Sequence, residues 1–192
     1  MKILFASSNK HKAKEIKHIL SEYEVITLDM LNDNDDVEET GETYEENAYL
    51  KASYFYNKYK MPVIADDSGL SVDYMNGGPG VYSARYAGEK CTPKDNRVKM
   101  LKALEGVENR AAQFVCCICF IDETGEVNYF KGTTEGSILY EEIGDPSFGY
   151  DCIFYSNDLK ESFGEALEER KNSVSHRGRA VKKFADFLKN KK

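Results

Sequence analysis

Two hydrophobic periods are mixed along this chain, and together they limit it to folds that combine a sheet with helices. Short apolar runs, typical of buried strands, stand between longer segments whose apolar residues recur every three or four positions, as in helices. Because the two kinds do not strictly alternate, we expect an α/β or α+β domain with a central twisted mixed sheet. With 192 residues, of which 41% are hydrophobic, residues 1–192 are expected to form a single domain.

The predicted elements follow from these periods and from local capping signals. Strands are predicted at residues 2–6, 24–28, 62–65, 111–121, 126–139 and 152–155. Helices are predicted at about residues 10–21, 43–59 and 92–106, and from Ser175 towards the C-terminus. Thr43 with Glu46 forms a capping-box signature, and Thr92 before Pro93 is typical of a helix start. The Gly- and Pro-rich residues 76–80 predict a turn.

Charge and hydropathy exclude several classes of protein. The formal net charge is −7 and no basic stripe is visible, so a nucleic-acid partner is not expected. No apolar stretch approaches the roughly 20 residues that span a bilayer, so no membrane association is expected. The apolar run at the N-terminus is too short for a signal peptide, and we therefore expect a cytoplasmic protein.

The cysteines indicate reduced core thiols rather than a disulfide framework. They are odd in number and irregular in spacing: Cys91, Cys116, Cys117, Cys119 and Cys152. Cys116 and Cys119 form a C-x-x-C pattern, but it lies in a predicted strand. Since residues three apart on a strand point to opposite faces, these two cannot easily share a metal ion.

A polar segment joins the first predicted strand to the first predicted helix. It consists of Ser7, Ser8, Asn9, Lys10, His11 and Lys12. A strand-to-helix junction presents free backbone N–H groups and the positive end of the helix dipole, so this segment is a candidate phosphate cradle. The same hydroxyl and amide side chains could instead only cap the helix, and the glycines of a Walker A loop are missing.

Two adjacent acids, Asp66 and Asp67, follow the predicted strand at residues 62–65. Ligand groups in α/β sheets lie at such strand ends, and two carboxylates held together there favour a hard cation such as Mg²⁺. Gly69 would allow a sharp turn after them, and an Asx-type turn without a metal is the alternative. Glu39, from an acidic loop, could add a carboxylate, although such loops are usually only solvated.

Two further segments carry groups suited to a nucleotide base. Residues 148–151 (FGYD) place aromatic side chains beside an acid, which could stack on a base and accept from its N–H edge, or could be a turn with core aromatics. Lys171, His176 and Arg177 lie near the start of the last predicted helix, where their donors could reach a carbonyl or phosphate oxygen. They could also be ordinary surface residues of a capped helix.

In combination these segments resemble the inosine triphosphate pyrophosphatase family, also called the XTP/dITP diphosphatase family. The resemblance covers nearly the whole chain and runs through FASSNKHK, EETGETYEENAYLKA, PVIADDSGLSVD, GGPGVYSARYAG, GTTEGSI, FGYDCIF and KNSVSHRGRA. The resemblance implies an elongated α/β fold with a mixed sheet, two lobes and a substrate cleft between them. It also implies a homodimer that uses Mg²⁺ to hydrolyse ITP, dITP and XTP to the monophosphate and pyrophosphate.

The resemblance also implies roles for individual residues. Asp67 would be the catalytic base and, with Glu39, a metal ligand, although the sequence alone leaves Asp66 open as the base. The residues that would contact the substrate are Ser7, Ser8, Asn9, Lys10, His11, Lys12, Ser68, Phe148, Gly149, Tyr150, Asp151, Lys171, His176 and Arg177. Lys51 is a further candidate from its position on the predicted helix, one turn after Asn47, where both side chains could line a cleft or could only face solvent. The chain departs from the family at Ser8, where glycine is frequent, and at Cys152, where proline is usual; neither position carries a carboxylate.

Two other functions remain open from the sequence. One is a related pyrophosphatase that acts on other modified nucleotides. The other is a non-catalytic nucleotide-binding or sensor protein, against which the paired acids argue because a pure anion binder has no use for carboxylates beside phosphates.

Overall fold

The computed structural model describes residues 1–191. Its strands are β1 (Lys2–Phe5), β2 (Glu24–Thr27), β3 (Val63–Val72), β4 (Ala111–Ile121), β5 (Val127–Ile138) and β6 (Phe154–Ser156). Its helices are α1 (Lys10–Ile19), α2 (Tyr44–Tyr59), α3 (Pro93–Ala103), α4 (Glu168–Val174) and α5 (His176–Asn190). Short 3₁₀ helices occupy Leu28–Leu31, Asp73–Met75, Gly80–Arg85 and Asp151–Ile153.

The strands form a mixed sheet in the order β2-β1-β3-β4-β5-β6. Strand β1 is parallel to both β2 and β3, as expected where helices connect the strands. Strand β6 is antiparallel to β5. The predicted α/β class with a mixed sheet is therefore confirmed.

The chain divides into two compact units. The first contains residues 1–67, 116–132 and 177–191, and the second contains residues 68–115 and 133–176. We call them the first unit and the second unit. No helix within residues 1–191 is long and apolar enough to cross a bilayer.

The first unit has a hydrophobic core on each face of its strands. One core packs β4 residues such as Phe120 against Ile16 of α1 and Phe184 of α5. The other packs the alternate β4 positions against Ala48 and Phe55 of α2. Cys116 belongs to the former and Cys119 to the latter, which confirms that this C-x-x-C pair points to opposite faces.

The second unit has its own core around three phenylalanines. The ring centroid of Phe114 lies 4.5 Å from that of Phe154, and the centroid of Phe154 lies 5.1 Å from that of Phe163. Aromatic pairs at these distances bury large apolar areas and add a favourable ring–ring interaction. These rings therefore fix the place of β6 relative to β4 within the second unit.

The predicted helix starts are confirmed at α2 and α3. The Thr43 side chain accepts from the backbone N–H of Glu46, whose carboxylate accepts in return from the Thr43 N–H. Thr92 and Asp95 form the same reciprocal pair before α3, where Pro93 occupies the first turn. Both pairs satisfy N–H groups that have no partner inside the helix.

Two predictions about the residues after Ala65 are wrong. The acids do not stand at a strand end, because β3 continues from Val63 to Val72 with buried side chains at Leu70 and Val72. Gly69 does not make a sharp turn either. It lies in the strand, where a Cβ atom would be 2.1 Å from the carbonyl oxygen of Gly80, so glycine is needed for close backbone approach.

Other differences concern element ends and one missed helix. Helix α1 ends at Ile19 and α3 at Ala103, two or three residues before the predicted ends. Strand β6 begins at Phe154 because the preceding residues form a 3₁₀ helix. Helix α4 was not predicted, since its sequence EERKNSV has no apolar stripe at helical spacing.

Candidate active site

Strand β3 places Asp66 and Asp67 on opposite faces, because consecutive side chains on a strand alternate in direction. Asp66 points towards α1, where it meets Lys12, and Asp67 points towards α2, where it meets Asn47. The two carboxylates therefore do not form the shared cation site that adjacency in the sequence predicted. Each has its own set of partners within the first unit.

Asp66 is a buried anion surrounded by cations. The carboxylate is 1% exposed, accepts from Lys12 Nζ at 2.8 Å, and lies 3.6 Å from Nε of Arg177. Burial alone would raise the pKa of Asp66, but the charges of Lys12, Arg177 and Lys51 hold that pKa well below its usual range. Asp66 therefore stays ionised and has little tendency to accept a proton.

Arg177 links this anion to a second buried acid. Its guanidinium donates to the carboxylate of Glu15 on α1 while its Nε faces Asp66. Burial would lower the pKa of Arg177, but the two acids raise it above its usual range. Sequence reasoning did not single out Glu15. The available signal was that Glu15 stands three residues after Lys12, which places both on one face of α1.

Asp67 has the opposite electrostatic character. It is buried, and its carboxylate accepts from Asn47 Nδ2 at 3.2 Å. Burial, and then repulsion from the nearby Glu39, raise the pKa of Asp67 to about 6. A carboxylate with a pKa near neutrality can accept a proton and release it again, which is the property of a general base.

Lys51 of α2 links the acidic loop that carries Glu39 to the backbone of β3. Its ammonium donates to the carboxylate of Glu39 and, at 2.6 Å, to the backbone carbonyl oxygen of Asp66. Burial alone would lower the pKa of Lys51, but the charges of Asp66 and Glu39 raise it above its usual value. Lys51 therefore stays charged and restrains the acidic loop that carries Glu39.

Glu39 and Asp67 fit the donor set of a magnesium ion. Their charges repel each other, as the raised pKa of Asp67 records, and a cation would remove that repulsion. Mg²⁺ is commonly held by one or two carboxylates, with waters and substrate phosphates as the other ligands. Within residues 1–191 no three His, Cys, Asp or Glu side chains are grouped to hold a metal by themselves, so phosphate and water would have to complete the shell.

The polar segment before α1 is a capped helix start. The Asn9 side-chain oxygen accepts from the backbone N–H groups of His11 at 3.0 Å and Lys12 at 3.2 Å. The Ser7 hydroxyl accepts from the N–H of Asn9. Ser8, Lys10 and His11 are exposed. Capping is thus observed, and phosphate binding by the exposed groups stays a prediction.

The second unit brings Lys171 together with residues 148–151, which are among the residues predicted to contact a base. The Lys171 ammonium pairs with the Asp151 carboxylate and lies 5.4 Å from the Phe148 ring centroid. The Tyr150 hydroxyl donates to the carbonyl oxygen of Ser83 at 2.6 Å. One compact group therefore joins residues 148–151 to α4.

Two other predicted contact residues lie in the second unit. The His176 ring stacks on Phe114 with centroids 4.8 Å apart and is buried. Ser68 is half-buried in β3, directly after the acids.

Comparison with known proteins gives full-length matches. The model of the Ham1 family matches residues 3–187. The chain is 43% identical to the dITP/XTP pyrophosphatase of Clostridium perfringens, with 98% of this chain and 97% of the relative covered. It is 45% identical to the dITP/XTP pyrophosphatase of Flavobacterium johnsoniae, with 98% of each covered.

Solved structures agree with the sequence matches. The structure of the Staphylococcus aureus Ham1 protein superposes with a TM-score of 0.90 at 42% identity, over 100% of both chains. That of a HAM1 protein from Coxiella burnetii gives 0.89 at 36% identity, over 99% of both chains.

The α/β fold, a buried carboxylate with a pKa near neutrality and these relatives together define a hydrolase of the nucleoside triphosphate pyrophosphatase class. Within that class, the chain belongs to the Ham1 family.

Proposed function

We propose that this chain hydrolyses the non-standard purine nucleotides dITP, XTP and ITP to the monophosphate and pyrophosphate, with Mg²⁺, and so removes them from the nucleotide pool. The relatives from Clostridium perfringens and Flavobacterium johnsoniae are dITP/XTP pyrophosphatases, which supports the substrate class. The observation that carries the proposal is the buried Asp67, whose pKa is raised to about 6 beside Glu39.

In the proposed reaction Asp67 accepts a proton from a water molecule. The water oxygen bonds to the α-phosphorus, the bond from that phosphorus to the oxygen bridging to the β-phosphate breaks, and pyrophosphate leaves with the electron pair. Glu39 and Asp67 would hold Mg²⁺, which when bound offsets the negative charge of the triphosphate. Asn47 orients the Asp67 carboxylate through its 3.2 Å hydrogen bond.

Positive groups of the first unit are proposed to bind the triphosphate. Lys12 and Lys51 stand on either face of β3, each held in place by an acidic partner. Both would stabilise the charge that develops on the departing pyrophosphate. The polar segment Ser7 to Lys12 would add hydroxyl and backbone N–H donors near the start of α1.

Phe148, His176 and Arg177 are proposed to recognise the purine. Phe148 would stack on the base, and His176 together with Arg177 would donate to its 6-keto oxygen. ATP carries an amino group at that position, so buried donors would be left unsatisfied, at a cost of about 1–3 kcal/mol each. Discrimination by hydrogen bonding of this kind can be strong. The other residues proposed to contact the substrate are Ser68, Gly149, Tyr150, Asp151 and Lys171.

The test is pyrophosphate release from a panel of ITP, dITP, XTP, dTTP and ATP in saturating Mg²⁺. The proposal predicts turnover of the first three, with kcat/KM at least about 100-fold above that for ATP and dTTP. Omission of Mg²⁺ with a chelator present should abolish turnover.

Two other outcomes favour the alternatives. Preferential turnover of dTTP, or of modified nucleotides added to the panel, would favour a pyrophosphatase of different specificity. Tight ITP binding without pyrophosphate release would favour a sensor protein.

A further inference from the structure

A buried arginine that lies outside the predicted site holds the segment proposed to contact the base. Arg97, on α3, is 3% exposed. Its Nε donates to Glu142 at 2.7 Å, and its NH1 group donates to the backbone carbonyl oxygen of Gly149 at 2.9 Å. Gly149 stands between Phe148 and Tyr150, in residues 148–151, which we call the aromatic loop.

Burial of the Arg97 guanidinium has a desolvation cost that its two partners must offset. Burying a guanidinium removes strongly favourable hydration, which must be regained from partners inside the protein. Arg97 regains it from one carboxylate and one loop carbonyl, so the loop position is fixed by a charge-assisted hydrogen bond. Gly149 also has a left-handed φ of +52°, a conformation available to few residues other than glycine.

We propose that Arg97 is a positioning residue, which acts through the Gly149 carbonyl and Glu142 to hold the aromatic loop where it contacts the purine. This inference rests on the proposed function of that loop. Arg97 holds the loop at the Gly149 carbonyl, whereas Lys171 contacts it at Asp151 and at the Phe148 ring. Loss of Arg97 would therefore loosen Phe148 without touching the residues proposed to bind the triphosphate.

The chain contains a matched control. Arg110 is also a buried arginine of the second unit, 7% exposed. It donates to three backbone carbonyl oxygens, those of Leu104, Ile138 and Leu139, none of which belongs to the aromatic loop. Arg110→Met therefore reports what the loss of a buried arginine does to the unit in general.

The kinetic test compares Arg97→Met with Arg110→Met below the melting temperature of both. For Arg97→Met we expect the KM for ITP to rise about tenfold or more while kcat changes less than about threefold, because loop placement affects binding of the base rather than proton transfer. Inhibition by tripolyphosphate, which has no base, should not change. Arg97→Lys, which keeps the charge, should recover part of the loss. Equal KM increases in the two methionine variants would overturn the proposal.

A second readout does not depend on the substrate. Backbone hydrogen–deuterium exchange of peptides covering residues 145–152 should rise in Arg97→Met and stay at the wild-type rate in Arg110→Met. Unchanged exchange in Arg97→Met would overturn the positioning role even in an active enzyme. If wild type hydrolysed none of the panel nucleotides, the proposed function would fail, while the exchange result would still decide whether Arg97 holds the loop.

Discussion

Asp66 and Asp67 are neighbours in the chain, yet their side chains have opposite acid–base properties. The cations Lys12 and Arg177 surround Asp66, whereas Asp67 faces the like charge of Glu39. The alternation of β3 alone produces this difference, because it directs one side chain to each face. Asp66 therefore serves as an anchor for cations, and Asp67 remains available for proton transfer.

The raised pKa of Asp67 predicts the pH dependence of the reaction. Only ionised Asp67 can accept a proton, so kcat/KM at low Mg²⁺ should fall as the pH drops below about 6, the pKa of that carboxyl. A cation beside the carboxylate favours its ionised form, so the fall in kcat/KM should shift to lower pH as the Mg²⁺ concentration increases. A fall in kcat/KM that occurs at the same pH at all Mg²⁺ concentrations would argue against a metal at Asp67.

Removing the charge of Asp66 should destabilise the fold. Asp66→Asn removes the buried anion that faces Lys12 and Arg177, and the loss of one partner of such a pair costs about 3–5 kcal/mol of unfolding free energy. Urea unfolding at pH 7 measures the change in unfolding free energy. The control for an Asp→Asn substitution is the exposed Asp35, which pairs with Lys58. Asp35→Asn should change stability little.

The destabilisation caused by Asp66→Asn should become smaller as the pH falls. The pKa of Asp66 is lowered in the folded state, so its contribution is present above the unfolded value of 3.8 and declines as pH falls below it. Wild type and Asp66→Asn should therefore converge in stability in acid. A constant difference down to pH 3 would contradict this assignment.

At the scale of elements, β3 passes so close to the 3₁₀ helix Gly80–Arg85 that only glycine fits at position 69. A Cβ atom there would lie 2.1 Å from the Gly80 carbonyl oxygen and 2.8 Å from the Ser83 hydroxyl. Gly69→Ala should therefore lower the unfolding free energy by about 3 kcal/mol or more through overpacking. Gly106→Ala is the comparison, since nothing lies within 4 Å there and only its positive φ is strained. Equal losses in the two variants would contradict the close approach.

The spacing of apolar residues predicted most of the helices and strands, because in these segments it clearly follows the helical or the strand period. Helices α1, α2 and α3 and strands β1, β2, β4 and β5 are found within a few residues of their predicted ends. The second half of β3 was missed because Asp66, Asp67 and Ser68 resemble a loop in composition, although Leu70 and Val72 continue the alternation. Polar residues inside a strand are a local conflict that is typical of functional sites.

The sequence predicted candidate site residues more readily than it predicted their partners. Motifs predict Asp67 and Glu39, helix spacing predicts Lys51, and the structure places all three in the first unit. The contacts of Arg177 with Glu15 and of Arg97 with Gly149 join residues far apart in the chain. Such pairs depend on tertiary packing, which a single sequence does not encode in any local pattern.

The protein as a whole is acidic, yet its proposed substrate is an anion. The net charge of −7 disfavours polyanions at long range, so binding has to rely on local cations such as Lys12 and Lys51. Each of these lysines is paired with an acid and has a side chain only 15% exposed, so solvent weakens its charge less than that of a surface lysine. Double-stranded DNA should accordingly not inhibit ITP hydrolysis at physiological salt.

The family resemblance predicts a homodimer. Sedimentation equilibrium over a range of protein concentrations should give a mass twice that of the chain. Because most soluble oligomers have closed symmetry, the mass should not rise further with concentration. A constant mass equal to that of one chain would contradict the prediction.

The measurement that bears most directly on the role of Asp67 is pyrophosphate release from ITP by Asp67→Asn, in parallel with thermal unfolding. We expect turnover to fall by about 10²–10⁴-fold, the usual contribution of a general base. We expect no loss of stability at pH 7 without Mg²⁺, since the raised pKa of about 6 means that ionised Asp67 opposes folding there. Near-normal turnover in a folded Asp67→Asn variant would contradict the role of Asp67, because proton transfer would then have to occur elsewhere.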